Sequence, residues 1–120
     1  MTNFTNKRNI ITNKLWKGVD KMIRRRIIEI HKPLGAPEHH SAIEKYKYVA
    51  LDEGGQTYIA LRMSMVNWIS QDPKNHIAFV IDSRGNTAVC MIEESPAGHF
   101  YLKTRPDGIR SDNLLSLPRF

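Results

Sequence analysis

The stretch YLKTRPDGIRSDNLLSLPRF, residues 101–120, is the most organised part of the sequence and the starting point for its fold. A strand-like run leads into a turn at Asp107-Gly108, because glycine tolerates positive φ and aspartate bonds its own backbone. Asp112 or Asn113 then caps a short helical turn. The residues after it predict a plug that folds back on the core: Leu114, Leu115 and Leu117, with Pro118 ending the turn.

The same stretch also supports a functional hypothesis. Polar side chains that project from turns at one end of a sheet would form a pocket for a nucleotide or peptide. Two carboxylates close to His99 would suit acid–base chemistry, although no spacing demands it. We favour the structural plug and keep the pocket as an alternative. Its candidate residues are Thr104, Arg105, Asp107, Asp112 and Asn113.

Upstream of this stretch, segments rich in β-branched and aromatic residues predict strands separated by proline- and glycine-containing turns. One helix, capped by Ser64 and ended by Asp72-Pro73, lies between the third and fourth strands. Because the connections are short, we predict an α+β domain with a small antiparallel sheet of five to six strands. The predicted strands are 26–32, 43–51, 56–61, 76–82, 87–94 and 99–104.

The first 26 residues hold all the excess positive charge. They carry eight basic residues and one acidic residue, which gives a net charge of +7. Residues 27–120 carry ten basic and eleven acidic residues, which gives a net charge of −1. Apolar residues at three- and four-residue spacing from Ile11 to Met22 predict an amphipathic basic helix over this segment. We therefore divide the chain into a basic helical extension, 1–26, and a single α+β domain, 27–120. The candidate nucleic-acid-binding residues are Lys14, Lys17, Lys21, Arg24, Arg25 and Arg26.

Composition and motifs exclude several classes of protein. A single cysteine, Cys90, excludes a disulfide framework and a cysteine-based zinc cluster. No apolar run reaches the roughly 18 residues of a membrane span, and no secretory signal begins the chain, so we expect a cytoplasmic protein. No phosphate-binding glycine loop or hydrolase motif is present. We interpret His39 and His40 as exposed loop residues, expect no metal or cofactor, and find no support for an enzyme.

Tyrosines on the first predicted hairpin lie close to basic residues in the sequence. Tyr46, Tyr48 and Tyr58 are near Lys45 and Lys47. Aromatic rings among cations stack single-stranded bases in some sheet proteins. Tyrosines on strands also pack well against their cross-strand neighbours, and we favour that interpretation.

Two stretches of the sequence resemble a known family. The C-terminal matches are Tyr101, Leu102, Lys103, Thr104, Asp107, Gly108, Asp112, Asn113, Leu114, Leu117 and Pro118. At the front, IIEIHKPLGAPEHHSAIEKY, residues 27–46, is similar to an isoleucine strand, a Lys-Pro step and a histidine-bearing loop. Together they resemble the family of bacteria, archaea and their viruses catalogued as domain of unknown function 3892. That family has an acidic residue after the loop histidine, where this chain has His40 or Ser41.

The resemblance covers residues 27–120, implies no established activity, and marks residues 1–21 as an addition peculiar to this chain. Occurrence of the family in phage and mobile elements implies a host-directed role. Our first hypothesis is a small non-enzymatic nucleic-acid-binding or regulatory protein that uses the basic helix. The alternative is a phage or mobile-element protein-interaction module that inhibits a host nuclease or defence protein. A third is a nucleotide-sized-ligand binder or enzyme that uses the C-terminal Asp/Asn motif.

The partners expected on these hypotheses follow from charge. They are nucleic acid, an anionic groove of a protein, or a host protein. The apolar stripe of the basic helix is a candidate contact for self-association. A membrane partner is not expected.

Overall fold

The computed structural model describes residues 22–104 and 114–120. These residues form six strands, one α-helix and a short 3-10 helix at His40–Ala42. The strands are β1 (Ile23–His31), β2 (Lys45–Ala50), β3 (Thr57–Leu61), β4 (His76–Ile81), β5 (Thr87–Glu94) and β6 (Phe100–Thr104), and the helix, α1, is Arg62–Gln71. Within those residues, no helix has the length and apolar character needed to cross a membrane.

The strands form one mixed sheet in the order β3-β2-β1-β4-β5-β6. All neighbours are antiparallel except β1 and β4, which run parallel. The prediction of an antiparallel sheet is therefore wrong. After β3, helix α1 carries the chain across one face of the sheet and reverses its direction. β4 can then lie on the free side of β1 and run the same way, which is the crossover that parallel pairing requires.

The first strand also corrects the predicted N-terminal helix. Ile23, Arg24, Arg25 and Arg26 belong to β1, and no helix precedes it in the described residues; 1–21 lie outside them. Arg25 lies opposite Ala50 on β2 and Ala78 on β4, so β1 has a partner strand on both sides. That long-range pairing outweighs the helical spacing, which is only a local preference.

Helix α1 begins two residues earlier than its predicted cap. Leu61 is the N-cap and makes no side-chain bond to the first turn, so Ser64 does not cap the helix. The helix packs its buried residues Met65, Val66 and Ile69 on the sheet. It ends where predicted, at Gln71 before Asp72-Pro73, because the residue before proline disfavours helical geometry.

Alternation along the strands gives the sheet two faces. The helix face carries the core, which is Ile27, Ile30, Ile43, Tyr46, Tyr48, Ala50, Ala60, Met65, Val66, Ile69, Ala78, Val80, Ala88, Cys90, Leu102, Leu114 and Leu115. We call the opposite face of β1–β5 the outer face. By register it carries Arg24, Arg26, Glu29, Lys45, Lys47, Thr57, Ile59, Leu61, Ile77, Phe79, Val89 and Met91.

A bulge in β1 sets which isoleucines are buried. The pairing of β1 with β2 shifts between Ile27 and Glu29, which leaves Ile28 as the extra residue. A regular strand would send Ile27 and Ile30 to opposite faces, since their spacing is odd. The bulge places both on the helix face, where both are fully buried.

The C-terminal tail locks onto the middle of the sheet. Leu114 and Leu115 are buried, as the predicted plug requires. Beyond them, the amide of Ile30 donates to the Pro118 carbonyl at 3.0 Å, and the amide of Phe120 donates to the Ile30 carbonyl at 3.0 Å. The tail thus pairs in parallel with β1 where β4 no longer does.

Candidate nucleic-acid interface

Three consecutive arginines on β1 form the described part of the candidate interface. Successive side chains on a strand point to opposite faces. Arg24 and Arg26 therefore lie on the outer face, and Arg25 lies on the helix face opposite Ala50 and Ala78. The six candidate residues do not form one surface among the described residues, because the three on β1 are divided between two faces. Lys14, Lys17 and Lys21 lie outside the described residues.

Arg24 is tied to the turn between β2 and β3. Its Nε donates to Asp52 Oδ2 at 3.1 Å and its Nη2 to Asp52 Oδ1 at 3.0 Å, while its main-chain amide donates to Oδ2 at 2.8 Å. The side-chain hydrogen bond from Arg24 lowers the pKa of Asp52 and raises the pKa of Arg24 itself. Arg24 keeps 48% of its side chain exposed, so part of this cation still faces solvent.

Arg25 is held between two aromatic rings on the helix face. Its guanidinium carbon lies 3.9 Å from the centre of the Trp68 ring and 4.5 Å from that of Tyr48. One of its terminal nitrogens also lies 3.7 Å from the sulfur of Met65. Burial lowers the pKa of Arg25, but an arginine pKa starts so high that the group stays charged. The arginine thus serves as a cross-link between β1, β2 and α1.

The contacts of Arg25 extend into a longer row of rings. His76 stacks on Trp68 with ring centres 4.4 Å apart and planes 7° from parallel, and its Nδ1 lies 2.6 Å from the Trp68 carbonyl oxygen. On the other side, Tyr58 packs on Tyr48 at 5.8 Å. We call the five residues Tyr58, Tyr48, Arg25, Trp68 and His76 the cation–aromatic stack. It spans β3, β2, β1, α1 and β4.

Arg26 has the least occupied guanidinium of the three arginines. It lies on the outer face opposite Val49 and Phe79. Its Nε is buried and has no hydrogen-bond partner among the described residues, and the same holds for Arg25 Nε. Unlike the other two, however, Arg26 makes no ion pair, ring contact or side-chain hydrogen bond within that part of the chain, so its terminal nitrogens are uncommitted there. Arg26 therefore suits contact with an anion better than Arg24 or Arg25 does.

Two lysines lie on the outer face next to the tail. Lys47 lies 3.2 Å from Glu29 and places its ammonium 4.9 Å from the centre of the Phe120 ring. Lys45 lies opposite His31, whose Nδ1 is 2.5 Å from the main-chain oxygen of Phe120. The outer face next to the tail is therefore basic, and Lys47 is neutralised by Glu29.

The first loop and the tail form a second charged cluster. Glu38 accepts from Lys32 and from Arg119, whose Nη2 lies 2.6 Å from Glu38 Oε1 and 2.6 Å from the Leu115 carbonyl. Hydrogen bonds from Arg119 and Lys32 lower the pKa of Glu38 to about 2. The Lys32 side chain is only 7% exposed, so Glu38 neutralises a buried ammonium. The cluster holds the 33–38 loop against the tail.

The residues of the predicted pocket fall mostly outside the described part of the chain. Arg105, Asp107, Asp112 and Asn113 lie there. Thr104 is described, and its register with Cys90 turns it to the helix face, where it is 7% exposed. It packs in the interior and does not project into solvent.

Two side chains singled out in the sequence are more buried than loop or surface residues. His40 is 5% exposed, which corrects its interpretation as an exposed loop residue, while exposed His39 caps the 3-10 helix through Nδ1, 3.1 Å from the Ser41 amide. Burial raises the pKa of the Cys90 thiol to about 12. Among the described residues, no group of three histidine, cysteine, aspartate or glutamate side chains is arranged to hold a metal ion.

Sequence reasoning missed the cation–aromatic stack. Arg25 was predicted to lie on the basic helix as a nucleic-acid contact, whereas strand alternation from Ile27 places it inward with Tyr48 as its diagonal neighbour. The signal that could have revealed the stack is the β-branched run after Arg26. Extending that strand by three residues towards the N-terminus includes Arg24, Arg25 and Arg26. Nothing in the spacing linked Trp68 to an arginine 43 positions earlier.

Comparison with known proteins gives one match. A family described as "Protein of unknown function (DUF3892)" matches residues 26–118, which agrees with the resemblance noted in the sequence. No curated protein and no solved structure matches the chain. The matched region covers β1 from Arg26 through the tail residue Pro118 and leaves the basic N-terminal segment outside. The chain therefore belongs to the DUF3892 family.

Proposed function

We propose that this chain is a small nucleic-acid-binding protein, in which the basic segment 1–26 contacts phosphates and the sheet domain is its scaffold. The observation that carries the proposal is the +7 charge of residues 1–26 against −1 for the remaining residues. Each lysine or arginine that neutralises a phosphate releases counterions, which favours binding. The basic residues lie outside the family match except at Arg26, so the proposed activity is an addition to the family domain.

The structure supports this proposal through the connection between the segment and the sheet. Residue 21 is followed almost at once by β1, and the Ile23 amide donates to the Asn75 carbonyl at 2.8 Å. In the sequence, Lys21 stands two residues before the first residue of a central strand. A phosphate bound beside Arg26 would thus be positioned by a rigid element rather than by a free tail.

Truncation tests the proposal. The measurement is fluorescence anisotropy of labelled single-stranded DNA, duplex DNA and RNA, titrated with the full chain and with residues 22–120. The shortened chain keeps the whole of β1, whereas a chain starting at residue 27 would remove part of a central strand. We expect at least a tenfold loss of affinity on truncation. Equal affinity of the two chains would refute the proposal.

A matched pair of substitutions tests the part that the sheet contributes. Arg26→Ala removes an outer-face cation that has no ion-pair partner among the described residues, and Arg84→Ala removes an exposed arginine from the β4–β5 turn. Arg26→Ala should bind nucleic acid several-fold more weakly than the parent, because one phosphate contact is lost. The affinity of Arg84→Ala should stay near that of the parent. The same loss for both variants would show that charge alone matters, with no role for the position of Arg26.

The protein-interaction and ligand-pocket hypotheses stay predictions. A pull-down from host lysate after nuclease treatment separates the first from nucleic-acid binding, because only a protein partner would be retained. For the pocket, Asp107, Asp112 and Asn113 are the residues to substitute, with the melting temperature measured beside ligand binding.

A further inference from the structure

The outer edge of the sheet at β3 exposes apolar side chains. Ile59 and Leu61 are each 58% exposed, Tyr58 is 44% exposed, and Met63 just after the strand is 43% exposed. Only Ala60 in this strand is buried. The chain thus leaves a row of large apolar side chains along one edge, which is an unusual arrangement for a surface strand of a monomer.

The backbone of this strand has free hydrogen-bonding groups on the same edge. The Arg62 amide donates to Glu44 at 2.8 Å, and the Ala50 amide donates to Gln56 at 2.9 Å, at the two ends of the β2–β3 pair. In an antiparallel pair, every second residue bonds across the ladder. Even-numbered residues of β3 therefore bond to β2. The N–H and C=O groups of Thr57, Ile59 and Leu61 point away from the sheet and have no backbone partner in the described residues.

The strand has none of the features that usually keep an edge unpaired. Natural edge strands carry lysine, proline, inward charges or bulges that block another strand. The sequence TYIAL, residues 57–61, has none of these, and its pairing with β2 is regular. The opposite edge strand, β6, does carry a lysine, Lys103.

We propose that β3 pairs in an antiparallel manner with β3 of a second copy of this chain, which gives a symmetric dimer with a continuous sheet. A two-fold axis at Ile59 places Ile59 opposite its own copy and Thr57 opposite Leu61 of the partner. All three residues with outward backbone groups then fall in hydrogen-bonded positions together. The facing pairs are β-branched or apolar, and no like charges oppose each other, so the strand is complementary to itself.

Charge at the ends of the strand favours a second copy as the occupant. Helix α1 begins at Arg62 with no side-chain cap and no acidic residue in its first turn, so the positive end of its dipole is not compensated there. In the two-fold register, Arg62 lies opposite Gln56 of the partner. The turn that precedes Gln56 carries Glu53, which this register brings towards the start of the other copy's α1. The dimer thus supplies the negative charge that this helix end lacks.

Sedimentation equilibrium of the full chain, without nucleic acid, tests the dimer independently of the proposed function. We expect a monomer–dimer equilibrium for the parent and a monomer for Ile59→Pro. Proline at this position removes only an outward N–H, so the ladder to β2 stays intact. Met91→Lys, which changes an exposed apolar residue of the same face on β5, should dimerise like the parent. A parent that is monomeric at all concentrations, or an Ile59→Pro variant that dimerises equally well, would overturn the proposal.

A cross-link gives the register and does not depend on a proline variant that folds. Directly opposed hydrogen-bonded residues have Cα atoms about 5.5 Å apart, within the range of a disulfide. Cys90 is the only native cysteine and is buried, so it does not compete. Under mild oxidation, Ile59→Cys should form a covalent dimer rapidly, and Met91→Cys should not. Equal, slow cross-linking of the two variants would contradict the two-fold axis at Ile59.

Discussion

At the scale of single residues, Arg25 places a permanent charge between two aromatic rings, 3.9 Å from Trp68 and 4.5 Å from Tyr48. Its aliphatic stem and planar head cover apolar surface while the charge meets the negative faces of the rings. An arginine chosen as a phosphate contact from sequence is therefore better explained as a packing residue. Arg24 is bonded to Asp52, whereas Arg26 has no ion pair or ring contact among the described residues, so the three arginines lie in three different environments.

Arg25→Ala should destabilise the domain through the stack. Loss of a partly desolvated cation–π contact should lower the free energy of unfolding by about 1–2 kcal/mol. Urea denaturation measures this loss through the fall in the unfolding midpoint. Arg25→Lys should keep part of this stability, because lysine keeps the charge but not the planar head. Arg24→Ala is the matched control and should change the midpoint less, since its ion pair is exposed. An equal fall for Arg24→Ala would contradict the assigned role of the stack.

Cys90 should be unreactive in the folded chain. Burial raises its pKa to about 12 from an ordinary value near 9, so the thiolate is absent at neutral pH. Since the pKa is higher in the folded state, this group lowers stability as pH rises from about 9 towards 12. The rate of reaction with a thiol reagent, compared with the rate in denaturant, measures this protection. A native thiol that reacts as fast as the denatured one would contradict the burial.

At the scale of elements, the C-terminal tail connects parts of the chain that are far apart in sequence. Its leucines enter the core, Phe120 and Pro118 bond to Ile30 of β1, and Arg119 bonds to Glu38 of the first loop. The tail thereby extends the sheet next to β1 beyond the end of β4. These contacts give the tail residues 114–120 a structural role.

Leu114→Ala tests the tail as a structural plug. Leu114 is fully buried, so its truncation should cost about 2–5 kcal/mol and lower the melting temperature by many degrees. Leu34→Ala makes the same chemical change at a fully exposed site in the first loop, and it should leave the melting temperature near the parent. Equal melting temperatures for the two variants would show that the tail does not contribute to the core.

Glu38→Gln should loosen the tail without unfolding the domain. Hydrogen bonds from Arg119 and Lys32 hold the pKa of Glu38 at about 2 in the folded chain, below its ordinary value of 4.5. Their contribution is therefore present above pH 4.5 and is lost as pH falls towards 2. Hydrogen exchange of the Phe120 amide near pH 5 should be faster in Glu38→Gln than in the parent. Glu44→Gln is the control. If the Phe120 amide also exchanged faster in that variant, Glu38 would not be the residue that holds the tail.

The sequence predicted elements better than their arrangement. Strand patterns and turn residues located all six strands and α1, since these are local signals. The parallel pairing of β1 with β4 depends on α1 placing β4 next to β1 and not at an edge of the sheet. No local pattern in the sequence specifies that placement. The arginines were assigned to a helix because Met22 and Ile23 continue a helical spacing, and only pairing with two strands overrules it. The stack joins residues 25 and 68, which no spacing relates.

At the scale of the whole molecule, the excess positive charge and the family domain lie in different parts of the sequence. The family domain is close to neutral and is closed by its own tail, whereas the excess positive charge precedes it directly in the chain. The described cations of the sheet are mostly engaged in ion pairs or ring contacts, with Arg26 and Lys45 as exceptions. The proposed binding therefore rests on the N-terminal segment together with Arg26, and a β3-paired dimer would present two such segments.

The salt dependence of binding tests the central proposal most directly. We would measure the association constant of the full chain for duplex DNA by anisotropy across a series of salt concentrations. Engagement of four or five phosphates by the basic segment gives a slope of log K against log salt of about −4, because each contact releases roughly 0.9 counterions. The account predicts that slope for the full chain and a slope about 3 units shallower for residues 22–120. A full chain whose affinity does not change with salt would contradict it.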